Sequence, residues 1–276
     1  MTQSMPDTLH TVSSLQADFA VCGIQPGMTL IMHSSLKQVG GWICGGAEAF
    51  NRALMNHLGD DGTLMMPAHT NGNSEPSYWQ NPPIPEAWWD DVRAQMPAYH
   101  PATTRTRQMG VLVEAFRTFP DAIRSSHPQF SFVAAGHHAS TLTDNHDLAD
   151  ALGEHSPLAR LYNLDGFVFL MGVGHGNNTS LHLAEHRANF VGKTIETQGA
   201  AMRVEGKREW VTFDILAYDA DDFVQIGTDF AKAHPEQVIS GKIGNADTLL
   251  IPQRPLIDFA VTWIEAHRTA SAESSD

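Results

Sequence analysis

Between residues 172 and 190 the chain reads GVGHGNNTSLHLAEHRANF, an apolar strand's end that becomes a glycine-rich turn and then opens a helix through polar residues. Such junctions are where folded chains build sites. On the helix His182 and Glu185 stand three residues apart and His182 and His186 four apart, so the three side chains leave adjacent positions of one face. Two chemistries use this spacing. In general-base catalysis an imidazole with a pKa of about 6.5 takes a proton from a nucleophile at neutral pH while a carboxylate orients it. In zinc chemistry the run His182-Leu183-Ala184-Glu185-His186 has the form of inverted metallopeptidases, with two histidine ligands and a glutamate base. A zinc site would also need a third ligand and a strongly apolar helix. Arg187 follows at once and no acidic partner motif lies downstream, so no metal is expected. An ordinary solvent-facing His–Glu pair would carry no chemistry, and the rest of the chain decides between these readings.

The elements that must position these residues follow α/β punctuation. Helix patterns at 13–22 and 47–58 alternate with strands at 29–33 and 63–67, and the apolar runs at 130–135 and 167–173 read as buried strands. Residues 202–213 predict a hairpin turning at Glu205-Gly206-Lys207, which requires some antiparallel pairing. Further helices are expected near 109–118, 156–162, 178–188, 220–232 and 255–267, the last begun by Pro255. The predicted fold class is α/β, a single domain over residues 1–276 with a central mixed sheet flanked by helices and frayed ends at about 1–12 and 269–276.

Composition narrows the function. Apolar residues make up 42% and charged residues 17% of the 276, which excludes a disordered chain. The 31 acids against 17 Lys plus Arg give a net charge of −14, which disfavours nucleic acid and admits a polycationic partner. Two cysteines, Cys22 and Cys44, are too few for a disulfide framework and fit a reducing cytoplasm. No signal peptide or membrane span is expected. Residues 71–100 form a long insertion with five prolines, three tryptophans, four acids and one arginine, a composition suited to lining or covering a site.

In order along the chain, His33-Ser34-Ser35-Leu36, Gly45-Gly46-Ala47-Glu48, Gly62-Thr63-Leu64-Met65-Met66-Pro67, Met109-Gly110, Arg124-Ser125-Ser126-His127-Pro128, Leu152-Gly153-Glu154-His155-Ser156-Pro157-Leu158 and Asn178-Thr179-Ser180-Leu181-His182-Leu183-Ala184-Glu185 resemble the motifs of the aminoglycoside N3-acetyltransferase family. Asp222-Phe223, Ile226-Gly227 and Gly241-Lys242-Ile243-Gly244 extend the resemblance to nearly the whole chain. It implies a fold distinct from the GNAT acetyltransferases. It also implies acetyl transfer from acetyl-coenzyme A to the 3-amino group of a 2-deoxystreptamine antibiotic. On this resemblance His182 is the base, Glu185 orients it or binds substrate, and His33 is a second catalytic candidate.

The His33 to Leu36 turn, with Ser34, Ser35 and Leu36, is the expected contact for the cofactor, together with Ser126. Arg105 and Arg107 precede Gly110-Val111, where Arg107, Gly110 and Val111 offer charge and free N–H groups to phosphate. A polycationic sugar calls for carboxylates among aromatic platforms, so Glu75, Glu86, Asp90 and Asp91, with Tyr78, Trp79, Trp88 and Trp89 between them, are the expected acceptor contacts. The acceptor alternatives are a non-antibiotic amine or, in a different class, a zinc peptidase. A cysteine nucleophile is not expected, since nothing local activates Cys44 and Cys22 reads as core.

Overall fold

A computed structural model describes residues 5–70 and 72–269 of the chain. The first part comprises β1 (Leu9–His10), α1 (Val12–Val21), β2 (Thr29–Ser34), α2 (Leu36–Val39), β3 (Trp42–Ile43), α3 (Gly46–Leu58) and β4 (Thr63–Pro67). An excursion carrying α4 (Trp89–Gln95) leads to α5 (Val111–Phe116), β5 (Ile123–Arg124), β6 (Phe132–Gly136), α6 (Ala139–Thr143), α7 (Pro157–Asn163), β7 (Phe167–Met171) and α8 (Leu181–Arg187). The last part holds β8 (Ile195–Val204), β9 (Lys207–Leu216), α9 (Phe223–Ala233), β10 (Ile239–Ile243), β11 (Ala246–Pro252) and α10 (Gln253–His267).

Among the described residues the main sheet has seven strands in the order β10-β11-β7-β2-β4-β6-β5. The central trio β7-β2-β4 is parallel, and antiparallel strands extend it on both sides. The parallel strands are apolar at successive positions because both their faces are covered. Leu30, Met32, Leu64, Met66, Phe169 and Met171 point into a core shared with α1, α3 and α5. Ile31, Met65, Val168 and Leu170 point the other way, into a core shared with α7 to α10 and the inner face of the β8–β9 hairpin. The chain therefore crosses from β2 to β4 on one face and reaches β7 through α7 on the other. Where crossovers diverge in this way, a crevice opens at the carboxyl ends of the parallel strands.

Several boundaries differ from the sequence expectation for identifiable reasons. Residues 9–12 are not frayed: β1 pairs in parallel with β3, and Thr11 caps α1 through reciprocal hydrogen bonds with Ser14. Residues 1–4 and 270–276 of the expected frayed ends, and position 71 of the insertion, lie outside the described residues. α10 begins at Gln253 rather than Pro255, which still falls in the first turn, where a proline forfeits no helical hydrogen bond. The hairpin is longer than its predicted core, 195–216, and turns on Glu205 and Gly206, both at positive φ as a tight two-residue turn requires.

The excursion is pinned to this hairpin. Asn73 pairs with both backbone polar groups of Ala201, and the Tyr99 N–H donates to the same carbonyl at 2.8 Å. Arg208 reaches back to the carbonyls of Arg93 and Met96.

Two histidines are sealed beneath it. The rings of His127 and His146 lie 4.9 Å apart. His127 Nδ1 accepts the N–H groups of Gln129 and Phe130, so this ring must stay neutral with its hydrogen on Nε2, bonded to the Leu148 carbonyl. Burial pushes His127 well below the usual imidazole value and His146 to about 4. The unfolded chain takes up protons at these positions near pH 6.5 while the folded one does not, so stability is full above that value and is lost as pH falls through it. Thermal melting should be nearly constant from pH 8 to 7 and decline below 6.5, at about 1 kcal/mol per pH unit for each buried histidine. A melting temperature that stays level down to pH 5 would contradict the neutral pair.

Candidate active site

The crevice at the carboxyl ends of β2, β4 and β7 is a cleft of about 280 Å³. β2 contributes His33 and Ser34, β4 leads to Pro67 and His69, and the turn after β7 contributes Val173 and the run Gly176 to Thr179. His182, on the first turn of α8, Tyr218 and Phe223 complete one wall; Gln108, Met109 and Val113 complete another.

α8 is placed by buried polar contacts at its start. The Asn178 side chain accepts the Ser180 N–H at 3.2 Å, and Gln253, the first residue of α10, donates to the Ser180 hydroxyl at 3.1 Å. Leu181, Leu183 and Ala184 then pack against Leu256, Ala260 and Ile264 of α10, which leaves His182 facing the cleft between the rings of Tyr218 and Phe223, with centroids 4.9 and 4.8 Å away.

His182 Nδ1 makes a short hydrogen bond to Glu185 Oε2. Glu185 is 1% exposed and its second oxygen, Oε1, accepts from the Asp219 N–H at 3.1 Å and from Arg268 at 2.6 Å. An ionised carboxylate only accepts, so the shared hydrogen belongs to Nδ1 and the lone pair of the ring lies on Nε2. Among the described residues Nε2 has no hydrogen-bond partner. The arrangement is an imidazole oriented by a buried carboxylate, with a basic nitrogen free for a proton.

The neighbouring histidines differ from it. Burial, with the positive tendency of His182 and His175 beside it, pushes His33 down to about 3, and burial with His182 and His33 does the same to His69. Both are held neutral, and His33 lies in the wall of the cleft beside His182. His186 does not join His182. Its Nδ1 faces Asp150 at 3.2 Å and its Nε2 the Tyr218 hydroxyl at 3.1 Å. Among the described residues no group of three His, Cys, Asp or Glu side chains converges as metal ligands.

The remaining expected residues are scattered. Ser34 lines the cleft, while Ser35 and Leu36 turn away into the start of α2, where the Ser35 N–H donates to the Met171 carbonyl. Arg107 borders an adjoining hollow with Trp79, Asn81, Pro82 and Ile84, joined to the cleft through Gln108. Gly110 caps α5 at φ 87° and Val111 is exposed beside it. Arg105 is drawn to Glu114 at 3.5 Å. Ser126 opens onto a different depression, with Ser140, Asp144 and Arg160, because it lies beyond β5 at the sheet's edge.

Of the expected acceptor residues only Trp79 approaches the cleft. Glu75 and Asp90 are ion-paired with Arg93 at 2.5 and 2.8 Å, so the single arginine of the insertion engages two of its four acids. Glu86 sits on a separate short turn, Tyr78 is half exposed, and Asp91 borders a shallow surface hollow with Trp88 and Met96. Cys22 is buried, as expected, and Cys44 is exposed. Sequence reasoning missed His69 and Tyr218. His69 stands two residues past a parallel strand, a position that does mark a site; Tyr218 follows a hairpin and carries no such signal.

A family model described as aminoglycoside 3-N-acetyltransferase matches residues 31–265. The chain belongs to the aminoglycoside 3-N-acetyltransferase family. Within the family it is 40% identical over 255 residues to a prophage-derived aminoglycoside N(3')-acetyltransferase-like protein, YokD, of Bacillus subtilis, covering 92% of each chain. It is 36% identical to aminoglycoside N(3)-acetyltransferase III of Pseudomonas aeruginosa, over 95% of this chain and 96% of that one. The solved structure of AAC-IIIb in a binary complex with CoASH superposes with a TM-score of 0.83 at 29% identity, covering 96% of this chain and all of that one. The family's mixed α/β fold and its acyltransferase class are thus those of this chain.

One family-like residue, Gly227, has a visible reason. A Cβ there would come within 2.1 Å of the His175 ring, so α9 can approach the turn before α8 only if this position is glycine. Gly227→Ala should lower stability by about 1–3 kcal/mol in denaturant unfolding. Because His175 anchors the Gly176 to Thr179 wall, acetyltransferase activity should fall with it. An alanine variant with unchanged unfolding midpoint would refute the close packing.

Proposed function

We propose that the enzyme transfers an acetyl group from acetyl-coenzyme A directly to the 3-amino group of a 2-deoxystreptamine aminoglycoside, with His182 as general base. The observation that carries this reading is the His182–Glu185 pair, set with a free Nε2 in the cleft at the ends of the parallel strands. A protonated amine is no nucleophile, so the 3-ammonium group first gives one proton to solvent and the free amine attacks. His182 Nε2 takes a proton from the attacking nitrogen as that nitrogen bonds to the thioester carbon; Glu185 stabilises the imidazolium that forms. The carbon–sulfur bond breaks, and the proton on Nε2 passes to the departing thiolate. His33 and His69 contribute neutral walls.

The residues present suit acetyl-coenzyme A. The hydroxyls of Ser34 and Thr179 line the cleft near His182, and Arg107 in the adjoining hollow has no carboxylate partner among the described residues, leaving its cation for phosphate. A cytoplasmic location belongs to this reading, in keeping with the co-substrate and the cysteine usage. Among the described residues no helix is long and apolar enough to cross a membrane.

In this reading the acids that meet a polycationic acceptor are those beside Tyr218 and Phe223. Asp219 and Asp221 are exposed in that loop. Asp221→Asn should raise KM for the aminoglycoside several-fold and leave KM for acetyl-coenzyme A unchanged, whereas Glu75→Gln should act mainly on stability. The reverse pattern would return acceptor binding to residues 71–100.

A second reading, a less highly charged amine as acceptor, is favoured by the cleft itself, whose lining holds no carboxylate. Thiol release from acetyl-coenzyme A, measured against apramycin, gentamicin and kanamycin types and against simple monoamines, separates the two. Turnover of the aminoglycosides is expected; turnover of monoamines alone would overturn the first reading.

A further inference from the structure

The hydrogen-bond chain that starts at His182 does not end at Glu185. Arg268, the residue that closes α10, lies 83 positions further along the chain, and its Nη1 bonds Glu185 Oε1 at 2.6 Å. Its Nε and Nη2 grip both oxygens of Asp222 at 2.7 Å, and Nη2 also donates to the Asp219 carbonyl at 2.9 Å. The guanidinium lies over the Phe190 ring at 5.0 Å, and the Arg268 carbonyl accepts the Val191 N–H. Every donor of the fork but one hydrogen thus has a stated partner, and the planar group is held from both sides of the loop that carries Tyr218 and Phe223.

From this geometry we infer that Arg268 is a positioning residue of the transferase, acting through Glu185 on His182. The inference rests on the reading of His182 as base. Glu185 is buried, and a carboxylate sealed from water needs a partner cation and a full set of donors to hold its place. Arg268 supplies the opposite charge at 2.6 Å, and its fixed fork selects the rotamer in which Oε2 faces His182. The charge balance is suited to proton uptake. Glu185, Asp222 and Arg268 sum to −1 with His182 neutral, and the cluster becomes neutral when Nε2 takes the proton. By joining Asp222 at the start of α9 to the Asp219 carbonyl, the same guanidinium also fixes the loop whose two rings flank the imidazole.

A double-mutant cycle tests this, using thiol release with the best aminoglycoside of the panel. Arg268→Gln should lower kcat about tenfold or more, the scale of a misplaced catalytic group, with both KM values within about twofold of wild type. Arg268→Lys, which keeps the charge but loses the fork, should recover part of that loss. In a Glu185→Gln background the Arg268→Gln change should have no further effect, because its route of action is already cut. The same factor lost in both backgrounds would overturn the proposal and reduce Arg268 to a clamp on α10.

Should Arg268→Gln fail to fold in a thermal melt, Asp222→Asn releases the other arm of the fork and should show the same dependence on Glu185. A readout free of any acceptor is proton NMR. A strongly deshielded imidazole N–H, assigned by its absence in His182→Ala, should move upfield in Arg268→Gln, and an unmoved signal would count against the inference. His182→Ala turning over like wild type would instead defeat the base reading itself, so the two failures are distinguishable.

Discussion

A carboxylate sealed from water is the constraint around which this site is organised. Glu185 is 1% exposed, and an unpaired charge so placed is among the costliest things a fold can contain. Three donors from three parts of the chain satisfy it: the imidazole of its own helix, a backbone N–H of the β9–α9 loop, and the guanidinium at the end of α10. Each arrangement constrains the others. α8 must present His182 and Glu185 on one face, the hairpin must deliver Asp219, and α10 must reach its last residue before Arg268 arrives. The orientation of one imidazole therefore depends on packing spread across the second half of the molecule.

The sheet determines where that imidazole acts. Strands β7, β2 and β4 run parallel with helices on both faces, and their carboxyl ends diverge into a crevice walled by His33, Ser34, Pro67 and His69. Burial keeps His33 and His69 neutral, so they add polar surface without adding charge next to His182. The imidazole that stands between Tyr218 and Phe223 has a buried carboxylate behind it and an Nε2 that no described residue engages.

The fold was legible in the sequence wherever local pattern and tertiary role agree. β4 spans Thr63–Pro67 as its apolar run predicts, and β2 gains only Ser34, because both strands are buried on two faces. The His182–Glu185 pair was legible because a three-residue helical spacing fixes its geometry without help from elsewhere. Composition counts the acids of 71–100 but does not pair them: Arg93, one turn from Asp90, engages both it and Glu75. Ser126 was misplaced because a motif match reveals nothing about the side of an edge strand on which a residue emerges. Arg268 had no local signal at all. A lone arginine after a helix acquires its role from residues 46 and 83 positions away.

The central claim is that Nε2 of His182 carries the proton removed from the acceptor amine. Chemical rescue tests it most directly: thiol release by folded His182→Ala is measured as imidazole is added to the assay. The account predicts a kcat lowered by roughly 10²–10⁴-fold that recovers in part with increasing imidazole concentration, as the free base occupies the vacated place between Tyr218 and Phe223. Turnover at the wild-type rate without imidazole would contradict it.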